Sequence, residues 1–269
     1  MSHDVALRAY LRAASVGGDH VDSCVAAVVS VASDPWQAAL IAAWLRGTER
    51  REATEDIGLT AALRARALHG AGVIAVVPRG SAYPSPRKNA PWEPTREFAM
   101  RMADAARSIA RVPVTRACDL GAGVGTVLLA MEAWGVTELV GVEKDPLAAA
   151  LCRIVVPRAR VLNGSVKGPF DVVVTRAATL ASAPAMVGPG GGLAAVVPES
   201  TLVDEKHAPL RRDWVSRHAI RGITGPERVP GQVHGLCLLA VEPLAGPSTV
   251  LGRPAAELLA TPYVPLRGR

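Results

Sequence analysis

The segment Thr115-Arg116-Ala117-Cys118-Asp119-Leu120-Gly121-Ala122-Gly123-Val124-Gly125-Thr126-Val127-Leu128-Leu129-Ala130 decides how this chain folds. A short apolar run reads as a strand, runs into glycines at positions 121, 123 and 125, and leaves as an apolar helical stretch. Glycine is required where a backbone turns sharply or meets a ligand with no Cβ in the way. The spacing is GxGxG behind an acid, distinct from the GxGxxG fingerprint of dinucleotide binders. Further on, Glu138-Leu139-Val140-Gly141-Val142-Glu143-Lys144-Asp145-Pro146 reads as a second strand ending on Glu143, 24 residues beyond Asp119. An acid at that strand end can accept both hydroxyls of a ribose.

Outward from this segment, strand and helix signals alternate. Apolar runs occur at 115–120, 138–142, 171–175 and 193–197, and 219–224 and 236–241 read as two further strands. Alternation of this kind predicts an α/β layer with a mostly parallel sheet. Thr95 is a good N-cap for a helix through Phe98, Met102 and Ile109.

DLGAGVGT followed by LVGVEKDP resembles motifs I and II of the class I S-adenosylmethionine-dependent methyltransferases. The resemblance spans about residues 95–242. It implies a Rossmann-like sheet of seven strands, mostly parallel with the last pair antiparallel, and S-adenosylmethionine as cofactor. It assigns the loop to Asp119, Gly121, Ala122, Gly123 and Gly125, with Asp119 near the methionine amino end and Glu143 on the ribose. The third strand, Arg160-Val161-Leu162-Asn163-Gly164-Ser165, carries Ser165 where relatives often have an adenine-binding acid, so adenine recognition falls to Asn163, Ser165 or backbone groups.

The fourth strand ends in Thr175-Arg176-Ala177-Ala178, not in the Asn/Asp-Pro-Pro-aromatic motif of enzymes that methylate adenine or glutamine amide nitrogens. That stretch is similar to one in a ribosomal RNA guanine-N7 methyltransferase family, without that family's Lys-Gly after the fifth strand. Thr175 is expected on the cofactor. Arg176, at a strand's carboxyl end, is expected to hold a carboxylate or phosphate or to form an ion pair.

The region in front of this domain reads as helical over residues 1–72. Val5, Leu7, Leu11 and Ala14 recur at helical spacing, and His20–Val31 is rich in Ala and Val. Asp34-Pro35 reads as an N-cap and first-turn proline for a helix through Trp36, Ile41 and Trp44, ended by Gly47. A further helix is predicted over 49–69, with a short strand at 73–77. The proline-rich stretch 73–94 reads as a connecting loop beside the site. It offers Tyr83, Arg87 and Trp92 as acceptor contacts and Glu93 as a general base, or Trp92 as a simple anchor. His207 and His234 are proton-transfer candidates. Arg211 and Arg212 read as a solvated helix face. Residues 243–269 read as an extended tail with room for a short helix at 254–260.

Composition bounds the function. With 269 residues, 49% hydrophobic and 20% charged, the chain can bury a full core. No apolar run approaches the ~20 residues of a membrane helix, and the N-terminus lacks a secretory layout, so a cytoplasmic location is expected. The four cysteines form no CxxC pair, which argues against zinc and against a disulfide framework. The net charge of +6 is thinly spread, and aromatics are 4%. The leading expectation is methyl transfer to a small molecule in bacterial specialised biosynthesis. RNA as acceptor, and a repurposed fold that performs an elimination or cyclisation or serves in a heteromeric complex, stay open, as does a homodimer.

Overall fold

The computed structural model describes residues 2–17, 20–46, 93–176, 179–227 and 235–243, with the short pieces 249–250 and 253–254. The helix expected over 49–69, the strand at 73–77 and the proline-rich loop up to Trp92 lie outside the described residues, as does the helix expected over 254–260 except for Pro254, which lies in a short strand.

The alternating segments fold as strands β1 (Arg116–Leu120), β2 (Glu138–Val142), β3 (Arg160–Leu162), β4 (Phe170–Arg176), β5 (Val187–Pro198), β6 (Ala219–Glu227) and β7 (Leu236–Glu242). They form one sheet in the order β3-β2-β1-β4-β5-β7-β6. β1 to β5 run parallel, and β7 inserts antiparallel between β5 and β6. The predicted seven strands, mostly parallel with an antiparallel end, are therefore observed. β5 is longer than the expected 193–197 because the glycine-rich 188–192 continues the strand. Two small strands, β8 (Thr249–Val250) and β9 (Arg253–Pro254), pair within the segment read as a tail.

Eight helices are described: α1 (Ser2–Ser15), α2 (His20–Val29), α3 (Pro35–Leu45), α4 (Arg96–Ile109), α5 (Thr126–Glu132), α6 (Pro146–Val155), α7 (Glu199–Val203) and α8 (Ala208–Arg217). Their starts follow the local chemistry. Asp34 accepts from the Trp36 and Gln37 N–H groups, opening α3 with Pro35 at its first position. Thr95 accepts from Phe98 N–H and opens α4, while Asp145 accepts from Leu147 N–H and opens α6.

Residues along each strand alternate between two apolar layers, as a period of two requires. Ala117, Leu139, Val172, Val174, Ala194 and Val196 face one layer, shared with α1 to α6. Cys118, Val140, Val173, Leu193, Ala195 and Val197 face the other, where Trp214 of α8 packs. Each fully buried Val or Leu contributes about 1.5–3 kcal/mol. Tyr10, Cys24, Val28 and Ile41 of the N-terminal helices share the first core with Val127, Leu128 and Leu151 of the sheet's own helices. Trp36 belongs to this contact, with the Arg96 guanidinium 4.9 Å from its ring centre. All four cysteines are buried, and none forms a disulfide among the described residues.

On α1, Ala6 and Tyr10 are buried and Val5 is 39% exposed. One expectation is corrected. Arg211 is not on a solvated face: it is buried, and its Nη1 donates to the Thr201 and Asp204 carbonyls. These carbonyls end α7, so the guanidinium caps a helix C-terminus.

Candidate functional site

The strand order reverses between β1 and β4, and ligands of open α/β sheets sit at the carboxyl ends of strands flanking such a point. The glycine loop lies there. Gly121, Gly123 and Gly125 all have positive φ, at 93°, 57° and 94°. The Gly121 and Ala122 N–H groups donate to the Val142 carbonyl at 2.8 and 2.9 Å, which ties the loop to the end of β2. The Gly123 N–H donates to Glu143 Oε2 at 2.7 Å. The Val124 N–H donates to Glu93 Oε1 at 3.1 Å, and Gly125 N–H returns to Ala122.

The two halves of this loop differ. A methyl-sized atom added at Gly121 would meet nothing closer than Arg176 Cδ at 3.9 Å. At Gly123 it would meet Glu93 Oε1 at 1.9 Å. Among the described residues, the first half is open and the second is covered by an internal carboxylate.

Asp119 lies on β1 between Gly141 and Val174, fully buried. Neither carboxylate oxygen has a hydrogen-bond partner among the described residues. Burial pushes its pKa up to about 7; the Arg176 charge opposes the rise, and Glu93 and Glu143 add to it. Glu143, at the end of β2, is also buried, with Oε1 accepting from Asp145 N–H at 2.8 Å. Each Glu143 oxygen holds one N–H donor and keeps a second lone pair.

Sequence reasoning placed Glu93 near the site but missed its partner. Arg46, immediately after α3, extends its guanidinium to Glu93 Oε1 at 2.5 Å and to Asp145 Oδ2 at 3.0 Å, with Glu143 Oε1 at 4.0 Å. Arg176 Nη2 lies 3.7 Å from the other Glu93 oxygen. The signal for Arg46 was present: it is the first charged residue after the eleven uncharged residues of α3. A guanidinium carried on an apolar helix needs an acidic partner nearby. Among the described residues, the cluster holds the carboxylates of Glu93, Asp119, Glu143 and Asp145 against the guanidiniums of Arg46 and Arg176.

The remaining candidates fall around this cluster. Asn163 and Ser165 are exposed in the loop after β3. The Thr175 hydroxyl is buried and lies 2.6 Å from that of Thr179. His207 sits in a 3-10 turn after α7, and its backbone N–H donates to Asp204. It shares no described hydrogen bond or ion pair with the cluster. Tyr83, Arg87, Trp92 and His234 lie outside the described residues.

No protein-family profile matches the chain, and no curated protein matches its sequence. Solved structures do match. A Listeria monocytogenes protein described as a class I S-adenosylmethionine-dependent methyltransferase covers 96% of this chain and 97% of its own, at TM-score 0.50 and 12% identity. TrmN from Thermus thermophilus aligns at 19% identity and TM-score 0.45, over 56% of this chain and 49% of its own. An amino pentose methyltransferase of calicheamicin biosynthesis from Micromonospora echinaspora, solved with S-adenosylmethionine bound, aligns at 24% identity and TM-score 0.33, over 44% of this chain and 51% of its own. This chain thus spans about half the length of the last two. At 12% identity the likeness is one of architecture, and the chain carries the fold of the class I S-adenosylmethionine-dependent methyltransferases.

Proposed function

We propose that this protein transfers a methyl group from S-adenosylmethionine to a small-molecule acceptor. The observation that carries the reading is Asp119, a buried carboxylate with no donor among the described residues, next to the half of the glycine loop that these residues leave open. A buried carboxylate without partners is costly, and a ligand ammonium would supply both charge and donors. The cluster's excess of carboxylates over guanidiniums also suits a ligand whose net charge is positive.

In this reading Asp119 receives the amino group of the cofactor, and Gly121 and Ala122 let its backbone-hugging portion approach. Gly123 and Gly125 hold the turn. Glu143 offers its two remaining lone pairs to the ribose hydroxyls, oriented by the Gly123 and Asp145 N–H groups. Asn163 and Ser165 supply polar groups at the exposed rim for the adenine edge. The Thr175 hydroxyl, engaged with Thr179, supports the end of β4. S-adenosylmethionine supplies an electrophilic methyl on a sulfonium, so the chain contributes alignment more than proton transfer.

Arg176, at the β4 end, is placed to hold an anionic group of the acceptor. Glu93 is a positioning residue in this scheme, because both of its oxygens already face guanidiniums. Tyr83, Arg87 and Trp92 are proposed on the acceptor side, and His207 receives no step. With four carboxylates against two guanidiniums, the site suits one small anionic group at Arg176 better than a run of backbone phosphates, which supports a small acceptor over RNA.

The test is calorimetric binding of S-adenosylmethionine and S-adenosylhomocysteine to the wild type and to Glu143→Ala. We expect micromolar affinity in the wild type, weakened about tenfold or more in the variant, since each lost hydrogen bond to a charged group is worth about 1.5–3 kcal/mol. Absence of binding by the wild type refutes the cofactor assignment. Salt-sensitive affinity for RNA, with none for small acceptors, would move the acceptor to RNA.

A further inference from the structure

We infer that Arg46 is a latch on the ligand site: it holds the Glu93 carboxylate over Gly123 and Val124, and an adenosyl ligand reaches that half of the loop only when the pair parts. The inference rests on the cofactor reading above.

Arg46 is carried by the last turn of α3, where its N–H donates to the Ala42 carbonyl. Ala38, Ile41 and Ala42 anchor this helix in the apolar core. The guanidinium therefore reaches the glycine loop from an element in front of the sheet domain. It bridges Glu93, on the chain entering α4, and Asp145, the N-cap of α6.

Glu93 fills the space that the missing Gly123 side chain leaves. Its carboxyl carbon and Oε2 would both lie 2.5 Å from an added Cβ, closer than any tolerated contact. Its Oε1 takes the Val124 N–H, so the chain's own carboxylate stands where an incoming ligand group would meet the backbone. Among the described residues the Gly121 half is uncovered, so this closure is local.

The latch ties cofactor binding to the position of α3. Only the fraction of molecules with the pair parted is competent to bind, and apparent affinity falls by that fraction. Removing both charges together leaves neither member of the pair stranded, whereas removing Arg46 alone would leave the buried Glu93 with only the Arg176 guanidinium, 3.7 Å away.

S-adenosylhomocysteine is titrated into the wild type, Arg46→Gln/Glu93→Gln and Arg46→Lys, with folding checked by circular dichroism and thermal melting. We expect the double variant to bind about fivefold tighter, corresponding to a parted fraction of about one in five in the wild type. Arg46→Lys should fall between the two. In parallel, hydrogen exchange of the wild type should show residues 121–125 becoming protected on ligand addition while the end of α3 exchanges faster. Equal or weaker binding by a folded double variant overturns the latch and makes the pair a direct ligand contact. If the double variant does not fold, exchange in the wild type decides, and an unchanged or protected α3 end overturns it. Binding by none of the folded proteins overturns the cofactor reading, and the latch with it; binding by the double variant alone supports both.

Discussion

Acidifying the solution from about pH 7.5 to about pH 5.5 should weaken S-adenosylmethionine binding roughly twenty-five-fold, through Asp119 alone. The folded carboxyl titrates at about 7, because burial raises it from 3.8 more than Arg176 lowers it. If the ligand ammonium binds only the ionised form, apparent affinity scales with the ionised fraction. That fraction is about three-quarters at the upper pH and about 3% at the lower. The window stays below the ~8 at which an α-amino group loses its own proton. Calorimetry in buffers of different ionisation enthalpy should show close to one proton, about 0.9, released per ligand near pH 6.

The same group sets an opposite trend in the free protein. Between about pH 4 and 7 the folded carboxyl holds a proton that the unfolded one has released, so stability falls as pH rises through that window. A shift of about three units makes the fall about 4 kcal/mol. Asp119→Asn should abolish both pH dependences, with weak binding throughout. Affinity that stays flat with pH in the wild type, or that rises on acidification, would refute the role given to Asp119.

Two further outcomes concern the scaffold. Asp171 accepts from the Thr115 N–H and hydroxyl and from the Arg116 N–H at 2.8–2.9 Å, pinning the start of β1 to β4. Burial raises its pKa, but these bonds and the Arg116 charge bring it below the usual carboxylate range. Asp171→Ala should therefore cost about 1–3 kcal/mol in urea unfolding at neutral pH, with the difference fading as acid protonates the wild-type carboxylate. Arg211→Met should cost about 2 kcal/mol by leaving the Thr201 and Asp204 carbonyls at the end of α7 without their donor, read as a lower melting temperature.

Much of the fold was legible because its signals are local. The Thr95 and Asp34 caps need only their own helix turns, and β1, β2, β4 and β7 follow from apolar runs a few residues long. Asp119, the three glycines and Glu143 were legible because strand–loop–helix spacing places them on one rim. Arg211 was misread because a charge at a helix-like position looks solvated until the carbonyls of another helix are seen beside it.

Sequence alone determined the α/β class, the glycine turn and the acids that flank it, because these depend on periodicity and on spacing within a few dozen residues. Tertiary structure alone decided that Arg46 meets Glu93 across 47 positions and Asp145 across 99. It also decided that Glu93 lies on Gly123 and that Asp119 has no donor among the described residues. Such pairings depend on which helix end the sheet's topology brings over the loop. Charge and burial then act through distances of a few ångströms, and no pattern along the chain encodes them.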